Sequence, residues 1–318
     1  MIKLKETTMR KTWVVCLLAM VCCALWGSAF PCIKVGYRLF QIDSADTAAQ
    51  ILFAGCRFTI AGIMVILFGS ILQGRFLKPG KGDLPRIGKI CLLQTVIQYF
   101  FFYVGLAHTT GVKGSIVEAS NVFLAILVSS LIFHQEKLDQ KKVLGCIVGF
   151  AGVVLINLSG RNVDMSFNLT GDGFIFISAI AYALSSVLIK KYSDKSDPVM
   201  LSGYQFTAGG LVMILIGFLM GGRIHTASMP AMILLIYMAM ISAVAYTLWG
   251  ILLKYNPVSK VSIFGFTNPV FGVILSAIIL REGNVFGMKD LIALVLVSIG
   301  ILIVNWAKPG ARKEKGTN

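Results

Sequence analysis

What most constrains this chain is a series of ten apolar runs, at residues 13–33, 47–72, 87–107, 112–134, 142–158, 172–190, 199–221, 230–253, 260–280 and 286–306. A helix of about 20 mostly apolar residues crosses the hydrocarbon of a bilayer. The runs lack the sustained apolar/polar alternation of a membrane β-barrel. The links between them are short and leave no room in these 318 residues for a soluble domain. Composition agrees: 57% of the residues are hydrophobic and 14% charged, whereas a soluble domain has roughly a quarter charged. The expected fold is all-α and integral to the membrane, with ten transmembrane helices. The first run follows basic residues as a secretory leader does, but nine more runs come after it, and it is expected to be a retained helix.

The formal net charge of +15 invites a nucleic-acid reading, which its distribution argues against. Let side one be the face holding the N-terminus of a ten-span chain. Side one then collects 21 of the 29 Lys and Arg residues, among them Lys3, Lys5, Arg75, Lys78, Lys81, Lys141, Lys142, Lys190, Lys191 and the tail from Lys308. Side two collects 7: Lys34, Arg38, Lys113, Arg161, Arg223, Arg281 and Lys289. Excess Lys and Arg marks the cytoplasmic face. The expected location is a multi-pass cell membrane protein, plasma or inner membrane, with both termini cytoplasmic. Its partners are the lipid bilayer and a small-molecule substrate, with no nucleic acid. The seven cysteines, Cys16, Cys22, Cys23, Cys32, Cys56, Cys91 and Cys146, form no CxxC and no Cys/His metal spacing. No cofactor or metal site is expected.

The chain also resembles itself. "FAGCRFTIAG" at 53–62 matches "LSGYQFTAGG" at 201–210, so Gly55, Phe58, Thr59 and Gly62 recur as Gly203, Phe206, Thr207 and Gly210 at offset 148. "VKGSIVEASNVF" from Val112 matches "SKVSIFGFTNPVF" from Ser259, so Asn121 recurs as Asn268 at offset 147, the offset that also pairs Tyr99 with Tyr246. Gly152 and Asn157 recur as Gly300 and Asn305. The expected units are residues 1–158 and 159–318, five helices each. Five is odd, so the second unit enters the membrane from the opposite face. Inverted repeats of this kind exchange inward-open and outward-open states around a site near the midplane.

The "ALWGSAFPCIK" segment of the first run, the five-plus-five layout, and the fourth and ninth runs ending in "HQEKL" and "LREG" resemble the drug/metabolite transporter superfamily in its EamA branch. The resemblance spans nearly the whole chain. It implies a secondary transporter of small metabolites, often an exporter of amino acids, with a cavity lined by helices one to four and six to nine. The family's polar-Pro step is present as Asn268–Pro269, whereas the first copy has Asn121–Val122.

Only two charges lie deep inside spans, Glu118 and Arg57, and their counterparts in the second copy are Gly265 and Gln205. Intramembrane charge usually faces a cavity or a partner. Counted from side two, the two backbones differ in depth by about 6 Å, so the residues either pair or share a polar cavity. Glu118 is a candidate for proton or other ion coupling, and a structural ion pair or a snorkelling Glu118 is the alternative. Gln94, Gln98 and Phe101 share helical spacing, with Tyr99 beside them. Ser242, Tyr246 and Trp249 form a second stripe, and Ser178, Tyr182 and Ser185 a third. Together with Asn121, Gln205 and Asn268 they suit either a cavity or interhelical glue. Pro31 and Pro269 each remove a helical hydrogen bond and are hinge or kink candidates. "GCIVG" at 145–149 is a GxxxG face for close packing or a homodimer contact. No Walker loop, HExxH, GxSxG or dinucleotide fingerprint occurs, so the expectation is a transporter and no enzyme. The rivals are a membrane enzyme on a lipid-linked substrate and a non-transporting scaffold or sensor.

The charge split predicts that tags near Met1 and at Asn318 are both cytoplasmic and that one between Arg161 and Thr170 is external. Protease protection placing the two termini on opposite faces would refute this and remove the inverted-repeat argument with it.

Overall fold

The computed structural model describes residues 6–43, 45–108, 111–158, 168–224, 228–280 and 288–305, and among them it contains helices and no strand. The elements are α1 (Glu6–Met9), α2 (Thr12–Phe40), α3 (Thr47–Gln73), α4 (Leu84–Ile90), α5 (Gln98–Ala107), α6 (Gly111–Leu127), α7 (Gln140–Leu158), α8 (Phe174–Tyr192), α9 (Pro198–Leu219), α10 (Met229–Tyr255), α11 (Val258–Ser262), α12 (Thr267–Leu280) and α13 (Met288–Asn305). A π-helical turn, Cys91–Ile97, joins α4 to α5, a second, Val128–Ile132, continues α6, and a third, Leu169–Gly173, leads into α8; a 3₁₀ turn, Ile263–Phe266, joins α11 to α12. Lys3, Lys5, Arg161, Arg281, Trp306 and the basic tail lie outside the described residues, as does the side chain of Lys113.

Six of these stretches are long and apolar enough to cross a membrane: Thr12–Phe40, Thr47–Gln73, Leu84–Leu106, Leu169–Tyr192, Pro198–Leu219 and Met229–Tyr255. Val117–Ile132 and Leu291–Asn305 are shorter apolar helices. Leu67, Phe68, Ile71, Leu215 and Phe218 are exposed on the outside, as lipid-facing positions are. Trp13 is exposed at the start of α2, where an interfacial ring sits comfortably.

The first helix outruns its apolar stretch. It continues past residue 33 to Phe40, carrying Lys34 and Arg38 on exposed positions, and ends at Gln41 in a left-handed conformation, φ 54°. Pro31 lies inside this unbroken helix. Pro269 lies in the first turn of α12, where a missing N–H costs little, and the chain just before it tightens into the 3₁₀ turn that contains Gly265. The first copy, with Val122 in place of the proline, stays α-helical from Gly111 to Leu127. The two copies therefore do not bend alike.

Helix α3 packs on α9, α7 on α13, α2 on both α10 and α12, and α6 on α8. The α3–α9 seam is set by glycines. A Cβ on Gly210 would stand 2.8 Å from the Gly55 carbonyl oxygen, and one on Gly62 would stand 2.6 Å from that of Gly203. Thr59 and Thr207 turn their hydroxyls back onto the Gly55 and Gly203 carbonyls, at 2.8 and 2.9 Å, so neither needs a partner across the seam. The α7–α13 seam repeats the device, with Gly145 against Gly300 and Gly152 against the Ala293 carbonyl. The GxxxG face at Gly145 and Gly149 is thus covered within the chain, by α13 and by Phe266, and is not free for a dimer contact.

Gly210→Ala should destabilise the protein by about 1–3 kcal/mol, since the added methyl meets backbone. Gly88→Ala, in α4 with nothing within 4 Å of the new carbon, should be neutral or stabilising by up to about 1 kcal/mol. Thermal melting of the detergent-purified variants compares them, and equal melting temperatures would show that the seam tolerates separation.

Candidate functional site

One cavity of about 90 Å³ lies among α2, α3, α5, α6, α8, α10 and the α11–α12 junction. A water needs on the order of 10–15 Å³ of such space, so it has room for several waters or for the polar head group of a larger solute. Its wall contains Arg57 of α3, Gln98 and Tyr99 of α5, Glu118 and Asn121 of α6, Tyr182 of α8, Tyr246 of α10, and Asn268 of α12. Eight of the eleven residues expected to line a site therefore meet in one place. Trp26, Ala29, Ile33, Phe102 and Gly265 complete the wall and were not foreseen, although Trp26 sits in the "ALWGSAF" segment and Gly265 was already paired with Glu118.

The three exceptions have physical reasons. A π turn bonds i to i+5 in place of i+4, and so rotates the helix face before it away from the face after it. Gln94 lies in that turn, Gln98 just beyond it. Gln94 is turned to α9, where its Oε1 accepts from Gln205 Nε2 at 3.1 Å, while Thr95 Oγ1 donates to Gln205 Oε1 at 2.7 Å. Gln94 and Gln205 are interhelical glue. Trp249 is buried in the core with its ring edge-on to Trp26, 4.9 Å between centroids. Phe101 packs on Phe174, leaving Phe102, four residues after Gln98, as the cavity residue. Ser185 is satisfied by the Tyr182 carbonyl of its own helix at 2.8 Å.

Arg57 and Glu118 share the cavity, but they are not among the ion pairs found in the described residues. The expected pairing is replaced by another. Arg57 Nη2 donates to Ser242 Oγ at 2.9 Å, and Nε reaches the same hydroxyl and the Met238 carbonyl at 3.2 Å. Its guanidinium also stands 5.2 Å from the Phe58 ring centroid. The residue is 3% exposed, and α10 offers it acceptors nearer than α6 does. Glu118 Oε1 accepts from Asn121 Nδ2 at 3.2 Å, while Oε2 is buried without a partner.

Beside these charges four aromatic rings form a chain. Phe58 stacks on Phe206, centroids 5.4 Å apart, Tyr99 lies against Phe58 and Tyr246 against Phe206. The Tyr99 and Tyr246 hydroxyls are hydrogen-bonded to each other at 2.5 Å.

Away from the cavity, toward side one, the chain is laced together. Glu136 accepts from Ser259 N at 2.9 Å, from the Ser259 hydroxyl and from Lys142 Nζ at 2.8 Å. Lys190 Nζ donates to the Leu253 and Asn256 carbonyls, and Asn256 Nδ2 to the Met9 carbonyl. Asp83 takes hydrogen bonds from Ser196 Oγ at 2.6 Å and Arg86 Nη1 at 3.0 Å. These, the Ser196 bond first, hold its carboxyl below the usual range.

The chain is similar to known transporters. The model of the EamA-like transporter family matches residues 13–158 and 169–306. A chloroplastic WAT1-related protein of Arabidopsis thaliana is 24% identical over 290 residues, 88% of this chain and 67% of that protein. An uncharacterized transporter of Archaeoglobus fulgidus is 25% identical over 306 residues, 92% of this chain and 98% of its own. The uncharacterized transporter YvbV of Bacillus subtilis is 26% identical over 302 residues, 88% of each chain. A solved crystal structure superposes with a TM-score of 0.74 at 16% identity, covering 92% of this chain and 96% of its own, a likeness of fold.

Cysteine placed at Tyr99 or Tyr246 in a cysteine-free background should react with a polar thiol reagent, and transported solute should slow the reaction. Cysteine at Gln94 should stay inert. Inert Tyr99 and Tyr246 positions, or a reactive Gln94 position, would contradict the cavity as drawn.

Proposed function

The chain belongs to the EamA-like transporter family, and from that premise we propose that it is a secondary transporter working by alternating access of two inverted five-helix units, residues 1–158 and 159–318. Its cargo in this reading is a small metabolite, amino acid-like or otherwise amphipathic, and its direction is export. The observation that carries the proposal is the meeting of Arg57 and Glu118 with eight further polar or aromatic side chains in one cavity.

Reciprocal contacts support the repeat. In an inverted duplication with one internal axis, a contact between a residue and its neighbour's counterpart occurs twice, and a residue on the axis meets its own counterpart. Gly55 meets Gly210 and Gly62 meets Gly203. Thr95 bonds Gln205, and Ser242 bonds Arg57. Phe58 meets Phe206, and Tyr99 meets Tyr246. All these pairs follow the offsets of 147 and 148 read from the sequence. The matching of the family model over two stretches supports it as well. In this reading the chain makes ten crossings, with the unbroken fourth pass, α6, and the interrupted ninth, α11–α12, both lining the cavity.

Alternating access needs a closed face and an open one. The bonds of Glu136, Asn256 and Asp83 tie side-one segments of the two units to each other. Cavity residues such as Ile33, Phe102 and Glu118 lie in the half of their helices nearer side two. The structure fits the state closed on side one. With no nucleotide-binding motif in the chain, uphill movement draws on a gradient, and Glu118 is the group proposed to couple it to protons or another ion.

Flux in proteoliposomes, or efflux from cells with and without the protein, tests the reading. Glu118→Gln should abolish or uncouple transport while the protein still reaches the membrane. Arg57→Gln should also impair it, at a stability cost of about 1–3 kcal/mol from the acceptors left unpaired on α10. Because the two residues are not bonded to each other, the double change should stay inactive. Restored, pH-dependent flux in the double variant would make the carboxylate one half of a structural bridge.

A further inference from the structure

Resting on the transport reading above, we infer that the cavity recognises its cargo by a protonated amine, held by Glu118, Gln98 and Asn268. Three residues of the wall carry a buried acceptor without a partner, Glu118 at Oε2, Gln98 at Oε1 and Asn268 at Oδ1, against one unpartnered donor, Trp26 Nε1. Gln98 is 5% exposed, so bulk water does not serve its oxygen. Leaving a polar atom buried and unpaired is costly, and three acceptors around one space call for a ligand rich in donors. An ammonium brings three N–H groups and a positive charge, and its bond to a carboxylate is of the strong, charge-assisted kind.

The other groups point the same way. Arg57 is the cation that faces this space, and its Nε and Nη2 are turned to Ser242 and Met238. It is held as part of the wall, while Glu118 keeps one oxygen uncommitted. The rings of Trp26, Tyr99 and Phe102 border the same space. Aromatic faces attract organic cations and gain little from anions. A proton on Glu118 would match one acceptor and leave Gln98 and Asn268 unmatched, so proton binding alone does not complete the site. A carboxylate or phosphate without an amine would meet three unpartnered acceptors, and the indole N–H of Trp26 is the unpartnered neutral donor set against them.

The test uses the full chain in detergent and four probes with the same aromatic tail: phenethylamine, phenylalanine, phenylpropionate and phenylethanol. Tryptophan fluorescence, with Trp26 on the wall, reads binding, and thermal shift checks it. Phenethylamine and phenylalanine should bind, and phenylpropionate and phenylethanol should bind about tenfold more weakly or worse. Glu118→Gln should weaken phenethylamine by about tenfold or more and leave phenylethanol unchanged. Should that variant fail to fold, Gln98→Leu, which removes an acceptor without touching a charge, should weaken phenethylamine by about threefold to tenfold. Phenylpropionate binding as tightly as phenethylamine, an amine affinity indifferent to both substitutions, or no binding of any probe at millimolar concentration would overturn the inference. Selective amine binding without flux in proteoliposomes would refute transport and leave the site standing. Flux of anions alone would refute the site and leave transport standing.

Discussion

The close approach of α3 and α9 is the contact on which the rest of this molecule depends. In a bilayer, lipid is as apolar as leucine, so helices associate through packing and small residues more than through hydrophobic burial. Gly55, Gly62, Gly203 and Gly210 bring two backbones together, and the adjacent residues are thereby aimed elsewhere. Phe58 and Phe206 are pressed into a stack at the seam. Arg57, two residues from Gly55, is turned to α10 and Gln205 to the π turn before α5. Were the seam wider, the aromatic chain through Tyr99 and Tyr246 would not close, and Arg57 would lose the hydroxyl that holds it.

Much of this architecture was legible in the sequence. All ten apolar runs lie at least in part within helices, because segment length and hydropathy are what a bilayer selects. The recurrence of Gly, Phe and Thr at one offset marked the seam residues, since close packing leaves few alternatives at those positions. What escaped the sequence depended on helix phase and on partners. A π turn is invisible to 3.6-residue spacing, so Gln94 was grouped with Gln98 although it faces α9. The Arg57–Glu118 bond was inferred from depth, which fixes a coordinate along the membrane normal but not the azimuth. Azimuth gave Arg57 to Ser242. Trp26 and Phe102 escaped because an aromatic residue in an apolar helix has no chemistry that distinguishes wall from core.

The two halves carry a recurring sequence pattern and different chemistry. Where one places Arg57 against Ser242, the other places Gln205 against Thr95, so the same hydroxyl position accepts on one side and donates on the other. Where one has Glu118, the other has Gly265, and where one has Val122 the other has Pro269. In the proposed repeat, symmetry serves the motion, because two like units can exchange roles at little cost in energy. Charge cannot be symmetric in the same way. A second arginine in place of Gln205 would put another buried cation beside the same aromatic chain, and a second carboxylate at Gly265 would face Asn121 and Val122.

That asymmetry also explains why the site is built from neutral polar groups around few charges. Each intramembrane charge costs several kcal/mol unless it is served, and the nearly enclosed Arg57 is served by two acceptors and a ring face. Glu118 is served by one amide, with its second oxygen left over. Thr59, Thr207, Ser185 and Thr267 turn their hydroxyls onto backbone carbonyls. Of the buried side-chain atoms left without a partner in the described residues, the others are hydroxyls, amide oxygens and indole N–H groups, and Glu118 Oε2 is the one carboxylate oxygen, the most costly of them to leave unpaired. A bridge built only for stability would have used the guanidinium that stands in the same cavity, and the fold instead gives that guanidinium to α10. In the proposed reading, what remains is a carboxylate kept available for something that is not part of the chain.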